Sequence, residues 1–266
     1  MTTGSERLGR LELGPWARAW ELLWLLTARE LKLRYQGTAL GFLWSLAKPL
    51  LQGLVIYFAL SRVLRVGIPN YHIFLLSALF PWAWFQTSIL LGTPAFVNNA
   101  NLLKKVYFPR FVLPLSIVLH NLLNFLLSLP VLMLLLMLVG LRPGPQWVLG
   151  LPLLVAVELL LLAGIVLLLA SLNVFLRDLE HLVEVFLNLW FYVTPILYPL
   201  SLVPGKVKAI MLLNPLTTLI EAWRGLFMEN AFPGAELWPA LLFAAVALVL
   251  GTVAFRTLEE RFEDAL

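Results

Sequence analysis

The sequence predicts an all-α integral membrane protein with six transmembrane helices, and three observations support this. Of 266 residues, 61% are hydrophobic and only 13% charged, against about 25% charged in an ordinary soluble domain. A water-facing surface cannot be built from so few charges, so lipid must solvate most of the chain. The apolar residues also fall into runs near the ~20 residues that carry a helix across a ~30 Å hydrocarbon layer. Finally, Lys and Arg are distributed unevenly between the two sides of those runs, as membrane orientation requires.

The opening residues MTTGSERLGR are polar and carry no cleavable apolar segment, so the amino terminus is expected to stay in the cytoplasm. Residues 16–36 alternate apolar clusters with Arg18, Glu21, Arg29, Glu30, Lys32 and Arg34. Their apolar stretch is too short to span, which predicts a helix lying along the inner headgroups. A soluble amphipathic cap on the bundle is the alternative. Residues 41–256 hold the six spans: Gly41 to Ser61, Tyr71 to Leu91, Phe111 to Val139, Leu149 to Leu172, Glu184 to Pro199, and Leu237 to Phe255. The fifth is short and contains Pro195 and Pro199, so its outer end is expected to be irregular, which a membrane tolerates only where protein or water covers the freed backbone.

With the amino terminus inside, the inner regions hold Arg7, Arg10, Arg18, Arg29, Lys32, Arg34, Lys104, Lys105, Arg110, Arg177, Arg256 and Arg261. The outer regions hold Arg62, Arg65, Arg142, Lys206, Lys208 and Arg224, half as many, and Lys48 lies within the first span. This bias predicts a multi-pass protein of the cytoplasmic membrane with both termini inside. Between the fifth and sixth spans, residues 200–235 are too polar to cross yet rich in Leu, Ile, Met and Phe. Asn214 and Pro215 form an N-cap and first-turn pair, predicting a helix that runs toward Met228, with a shorter one before it from Lys206 to Leu213. Two half-depth helices re-entering the outer leaflet fit this pattern, and so does an amphipathic loop resting on the surface. No repeat or linker divides the chain, so one transmembrane domain, residues 1–266, is expected.

The composition also excludes several chemistries. There is no cysteine, which removes disulfides, thiolate metal sites and cysteine nucleophiles. The net charge of +4 and pI near 9.5 come from basic residues beside apolar runs, where they meet anionic headgroups rather than nucleic acid. The phosphate-cradling G-x-x-x-x-G-K-[S/T] loop is absent, since the Gly205-Lys206 pair is followed by Val207. No H-E-x-x-H or G-x-S-x-G occurs either. His72, His120 and His181 lie far apart, so no metal site and no catalytic residue is expected.

Charges within spans are functional candidates by default. Glu158 in the fourth span is either a packing or cavity-facing carboxylate or, with His120, part of a proton relay. Lys48 can snorkel inward without any role. Ser116, His120, Asn124 and Ser128 recur every fourth residue, with Asn121 beside them, so they form one polar stripe that either bonds to neighbouring helices or lines a wet path. Aromatics cluster at Phe80, Trp82, Trp84 and Phe85 and again at Trp190, Phe191, Tyr192 and Tyr198. Interfacial belts account for some of them, and the deeper ones offer flat faces on which sugar rings in a pore could stack.

Five stretches carry a resemblance: RYQGTALGFLWSLAKPL (Arg34 to Leu50), LFPWAWFQTSI (Leu79 to Ile89), NLLKKVYFPRFVLP (Asn101 to Pro114), NVFLRDLEHLVEVFLNLWFYVTPILYP (Asn173 to Pro199) and NPLTTLIEAWRGLF (Asn214 to Phe227). In this order they resemble the permease subunits of type-2 ABC exporters that move lipid-linked polysaccharides such as O-antigen, capsule and teichoic acid across the cytoplasmic (inner) membrane. The resemblance implies two permease copies forming a channel on two separate ABC ATPase subunits, with ATP and Mg bound by those partners and no cofactor on this chain. Residues 93–105 would be the coupling helix, with Asn98, Asn101, Leu102, Leu103, Lys104 and Lys105 facing the ATPase and Arg177 and Asp178 close by. Residues 200–235 would be the gate, including Asn214, Pro215, Glu221 and Arg224. Trp82, Trp84, Phe85, His120, Asn124, Trp190, Phe191, Tyr192 and Tyr198 would line the glycan path. Because the chain stops at Leu266 without a sugar-binding domain, recognition would fall to the channel or the ATPase. Export of drugs or other small amphiphiles, a membrane-embedded glycan or lipid transferase, and a proton-coupled carrier are the competing readings.

Overall fold

The computed structural model describes residues 15–37, 41, 43–65, 67–105 and 108–265. The opening MTTGSERLGR, Thr38 to Leu40 of the first matching stretch, and Val106 and Tyr107 of the third lie outside them. Every regular element is helical: α1 (Pro15–Tyr35), α2 (Leu43–Tyr57, extended by a π-helical turn Phe58–Val63), α3 (Tyr71–Gly92), α4 (Ala95–Asn98), α5 (Ala100–Lys105), α6 (Val112–Leu138), α7 (Gln146–Asn173), α8 (Leu179–Val193), α9 (Gly205–Met211), α10 (Pro215–Glu229), α11 (Trp238–Leu258) and α12 (Phe262–Ala265).

Among the described residues, five helical stretches are long and apolar enough to cross a membrane: Leu43–Val63, Tyr71–Gly92, Val112–Leu138, Gln146–Asn173 and Ala235–Arg261. They correspond to the first, second, third, fourth and sixth expected spans. The fifth falls short, because α8 ends at Val193 and its 15 residues rise only about 22 Å. A proline disfavours helical dihedrals in the residue before it, and Thr194, ahead of Pro195, is extended at φ −80° and ψ 139°. Four prolines inside other helices, Pro49, Pro81, Pro130 and Pro152, do not end them.

α3 is the hub, packing against α2, α6, α7, α8 and α10. It is apolar on all sides and correspondingly buried on nearly all of them. α7 and α11 form the most extensive helix pair. Their approach depends on two glycines: a Cβ built on Gly164 would sit 2.3 Å from the Ala247 carbonyl carbon, and one on Gly251 would sit 2.3 Å from the Gly164 carbonyl oxygen. Ala240, Ala244 and Gly251 are the small buried residues on the α11 side, the kind of contact that lets helix backbones meet in lipid. α2, by contrast, buries only Leu46, Pro49 and Gly53 and leaves an apolar face uncovered.

α1 docks on α6 through Ala19, Leu23 and Val112, while Trp20, Trp24 and Leu25 point away from the protein. The helix expected from Asn214 is present as α10 and the shorter one as α9. α10 is not a surface loop, because it is buried against α3, α7 and α11 along most of its length.

Candidate functional site

At one end of the bundle, a cluster of rings gathers segments distant in sequence. Phe96 of α4 is fully buried, stacks on Phe255 of α11 at 6.1 Å and meets the tilted ring of Phe262 of α12 at 4.9 Å. Leu113, Leu167, Ala170 and Val174 complete the cluster, and Leu26, Leu102 and Leu103 pack against it. Arg110 donates to the Glu259 carbonyl at 2.8 Å. This apolar floor fixes the α4–α5 turn, with Asn98, Asn101, Lys104 and Lys105 exposed on its outer side. Arg177 and Asp178, just beyond Val174, are exposed at the same end. The residues expected at the coupling surface are therefore brought together, with Leu102 and Leu103 turned toward the core.

At the opposite end, α10 is anchored by polar side chains. The Asn214 side chain accepts from the Leu216 N–H at 3.0 Å, closing the N-cap. It also accepts from Trp190 Nε1 at 3.1 Å and donates to Thr194 Oγ1 at 3.1 Å. Arg224 is only 6% exposed. It pairs with Glu221, donates to the Pro195 carbonyl at 2.9 Å, and lies 3.7 Å over the Phe74 ring. Tyr71 donates to the Leu197 carbonyl at 2.6 Å. The carbonyls freed where α8 breaks are thus satisfied by donors from α3 and α10, as a buried backbone requires. Asn230, at φ 51°, ends α10, accepting from Gly144 N–H at 2.7 Å and Trp147 Nε1 at 3.0 Å.

The expected path residues divide into two groups. Trp82, Trp84 and Phe85 are buried: Trp82 meets Phe191 at 5.6 Å, Phe85 meets Trp190 at 5.7 Å, and Trp84 stacks on Phe125 at 5.2 Å beside a cavity that it helps to line. Dense ring-on-ring packing is the physical reason, since each pair gains more than its area burial alone. α8 buries only Val183, Leu187 and Phe191, one stripe at helical spacing. Most of the rest of the helix is exposed, including Glu184, Asn188 and Tyr192, which succeed one another at every fourth position. Tyr192 is 64% exposed, and Tyr198 bonds back to its carbonyl at 3.1 Å.

Two cavities flank the polar stripe of α6. One, of about 270 Å³, lies between α2, α3 and α6 and is lined by Ser45, Lys48, Trp84, Thr87, Asn124 and Ser128 among others. The second, about 460 Å³, lies toward the α4 end, where Glu30, Asn98, Asn99 and His120 line it. Asn124 and His120, one turn apart, are joined at 3.1 Å across the boundary. Glu158 has a different partner: its carboxylate, 1% exposed, accepts from Trp223 Nε1 at 2.8 Å. It therefore pins α7 to α10. Three features escaped the sequence: the Lys48 cavity, the Asn230 cap and the Gly164–Gly251 contact. Ser45 and Lys48, three apart on one helix face, were the available signal for the first.

Residues 21–228 match the family model described as ABC-2 type transporter. The chain is 41% identical over 247 residues to the O-antigen export system permease protein RfbA of Klebsiella pneumoniae, covering 92% of this chain and 95% of that relative. It is 42% identical over 246 residues to the protein of the same name from Myxococcus xanthus, covering 91% and 93%. Polysialic acid transport protein KpsM of Escherichia coli is 26% identical over 240 residues, covering 87% and 91%. With a family model spanning most of its length and such relatives aligned nearly end to end, this membrane chain belongs to the ABC-2 type transporter family.

Proposed function

We propose that this chain is the permease subunit of an ATP-driven exporter of lipid-linked polysaccharide of the O-antigen class, working as a pair of copies on two ABC ATPase subunits in the cytoplasmic membrane. The observation that carries the reading is the 41% identity to an O-antigen export permease along 92% of this chain. Other features agree with it. The exposed Asn98, Asn101, Lys104 and Lys105 sit on a rigid apolar floor, as a docking surface that transmits force must. α1 presents Trp20 and Trp24 outward, which suits a helix lying among headgroups.

In this reading the chain crosses the membrane six times. α8 and the extended residues after it supply the fifth crossing, running from Arg177 at the coupling end to Leu197 beside Tyr71. α9 and α10 re-enter from the outer face, and Arg224 and Asn214 tie that gate to the end of α8. The open face of α8, with Asn188 and Tyr192, lines the path together with its counterpart in the second copy. A sugar ring presents both hydroxyls and an apolar face, so an amide and an aromatic ring on successive turns can hold it without trapping it.

The test is co-expression with the cognate ATPase and measurement of both ATP hydrolysis and surface polymer. The Lys104→Glu, Lys105→Glu double variant is expected to hydrolyse ATP while exporting little polymer. If export continues at the original rate, the docking surface lies elsewhere. If the native pair exports no polymer at all, the substrate class is wrong.

A further inference from the structure

The cavity between α2, α3 and α6 is not used by the transport reading above, and its lining is unlike its surroundings. Lys48 supplies a cation, and no carboxylate pairs with it among the described residues. Trp84 is 2% exposed, and its Nε1–H is buried without a hydrogen-bond partner. Ser45, Thr87, Asn121, Asn124 and Ser128 add hydroxyls and amides, and no acidic residue lines the wall. Lys48 is itself exposed, whereas the Trp84 donor beside it is buried and unmet, and the pair calls for an anionic acceptor because a buried donor left unmade costs its full desolvation.

Position narrows the choice of anion. Lys48 lies five residues into α2 from Leu43, and Thr87 lies five residues from the end of α3 at Gly92, so both are about 7.5 Å from that end of the bundle. This is the depth at which headgroups give way to hydrocarbon. Leu51, Val55 and Phe58 continue from Lys48 along the same face of α2, and all three are exposed, which gives an acyl chain a surface to follow. A volume near 270 Å³ is at the small end for ligand sites, so it suits a head group and excludes a polymer.

We propose that this cavity binds the phosphate head group of a membrane lipid, with Lys48 as the counter-ion and Trp84 Nε1–H as a second donor. The inference needs only that the chain lies in a membrane, and it holds whichever polymer is exported. The shared ligand chemistry is a lipid-borne phosphate, which a bulk anionic phospholipid or a polyprenyl phosphate carrier could supply.

The experiment uses the full-length chain in nanodiscs of neutral phosphatidylcholine, doped with either phosphatidylglycerol or a polyprenyl phosphate, with retained lipid counted by native mass spectrometry. The native chain is expected to retain the phosphate lipid. Lys48→Gln should weaken retention about ten-fold, as the loss of one charge-assisted hydrogen bond implies. Lys48→Arg should keep it, and Trp84→Phe, which keeps an aromatic ring, though a smaller one, and removes the N–H, should weaken it several-fold. Retention of both lipids assigns a general anionic-lipid site, and retention of the polyprenyl phosphate alone assigns a carrier site. The proposal is overturned if Lys48→Gln and Trp84→Phe hold lipid as tightly as the native chain, or if the native chain retains neither phosphate lipid above phosphatidylcholine. Because lipid is counted without any export assay, failure here leaves the polysaccharide reading standing, and failure of export leaves this one standing.

Discussion

Glu158 and Arg224 bring charge into an apolar bundle, and each does so with a named partner. Glu158 accepts from Trp223 at 2.8 Å. Glutamine keeps a carbonyl acceptor there, so Glu158→Gln is expected to export normally, whereas Glu158→Leu orphans the indole N–H and should cost about 1–3 kcal/mol of stability. Thermal unfolding in detergent alongside an export assay separates the two, and loss of export in Glu158→Gln with unchanged stability would restore a proton-coupled role. Arg224 is the second case, because its guanidinium serves both Glu221 and the Pro195 carbonyl. Arg224→Met removes charge-assisted bonds worth roughly 1.5–3 kcal/mol each and frees the break after α8. The expected result is a protein that unfolds earlier and exports less. The Glu221→Gln, Arg224→Met double variant should recover part of the stability but not the export, since the bond to Pro195 stays lost. Tyr192 differs from both because it is exposed and supports nothing but its neighbour. Tyr192→Ala should slow export at unchanged unfolding temperature, while Trp190→Ala lowers both because it also removes the donor to Asn214.

Among the elements, α7 and α11 form the frame and α8 the compliant part. Their contact at Gly164 and Gly251 is backbone on backbone, with no side chain able to give way. Gly164→Ala is therefore expected to cost about 1–3 kcal/mol by forcing the helices apart, and Gly164→Leu should prevent stable insertion. An unfolding temperature unchanged in Gly164→Ala would show that the two helices pack less closely than described. α8 is the opposite case, with a single buried stripe and a terminus held by side chains from α3 and α10. Helix position and length were legible in the sequence for five of the six expected spans, because each is a long apolar run whose backbone bonds are all internal. α8 was harder to place, since Pro195 ends the helix while apolar sequence continues past it. The capping pair Asn214 and Pro215 fixed the start of α10, but its burial could not be read from its own residues.

For the whole molecule, the natural absence of cysteine permits a direct test of the threading. Single cysteines at Lys104 and Lys206, both exposed and at opposite ends in the proposed topology, should react with a membrane-impermeant thiol reagent from opposite sides. Equal labelling from one side would overturn the six-crossing arrangement. Arg224 is unsuitable for the same purpose, because it is buried. The coupling end behaves as a unit at this scale, with α4, α5, α11 and α12 sharing one aromatic cluster. Asn98, Lys104, Arg177 and Asp178 are all exposed there. Of the aromatics expected along the path, Tyr192 is exposed, Trp82 and Phe85 are packed by their neighbours, and Trp84 is buried beside the cavity between α2, α3 and α6.

By itself the sequence determined that this protein lives in lipid, where its long helices begin and end, and which family it resembles. Those properties are set locally, by the length of apolar runs, the placement of Lys and Arg, and contiguous motifs. Only the tertiary structure decided that Glu158 meets Trp223, that Arg224 holds the broken end of α8, and that Lys48, Trp84 and Asn124 line one cavity. In a membrane most helices look alike in apolarity, so which faces meet is decided by shape and by the few polar groups that must find partners. Arg224 and Pro195 lie 29 residues apart and Glu158 and Trp223 lie 65 apart, beyond the reach of any periodicity.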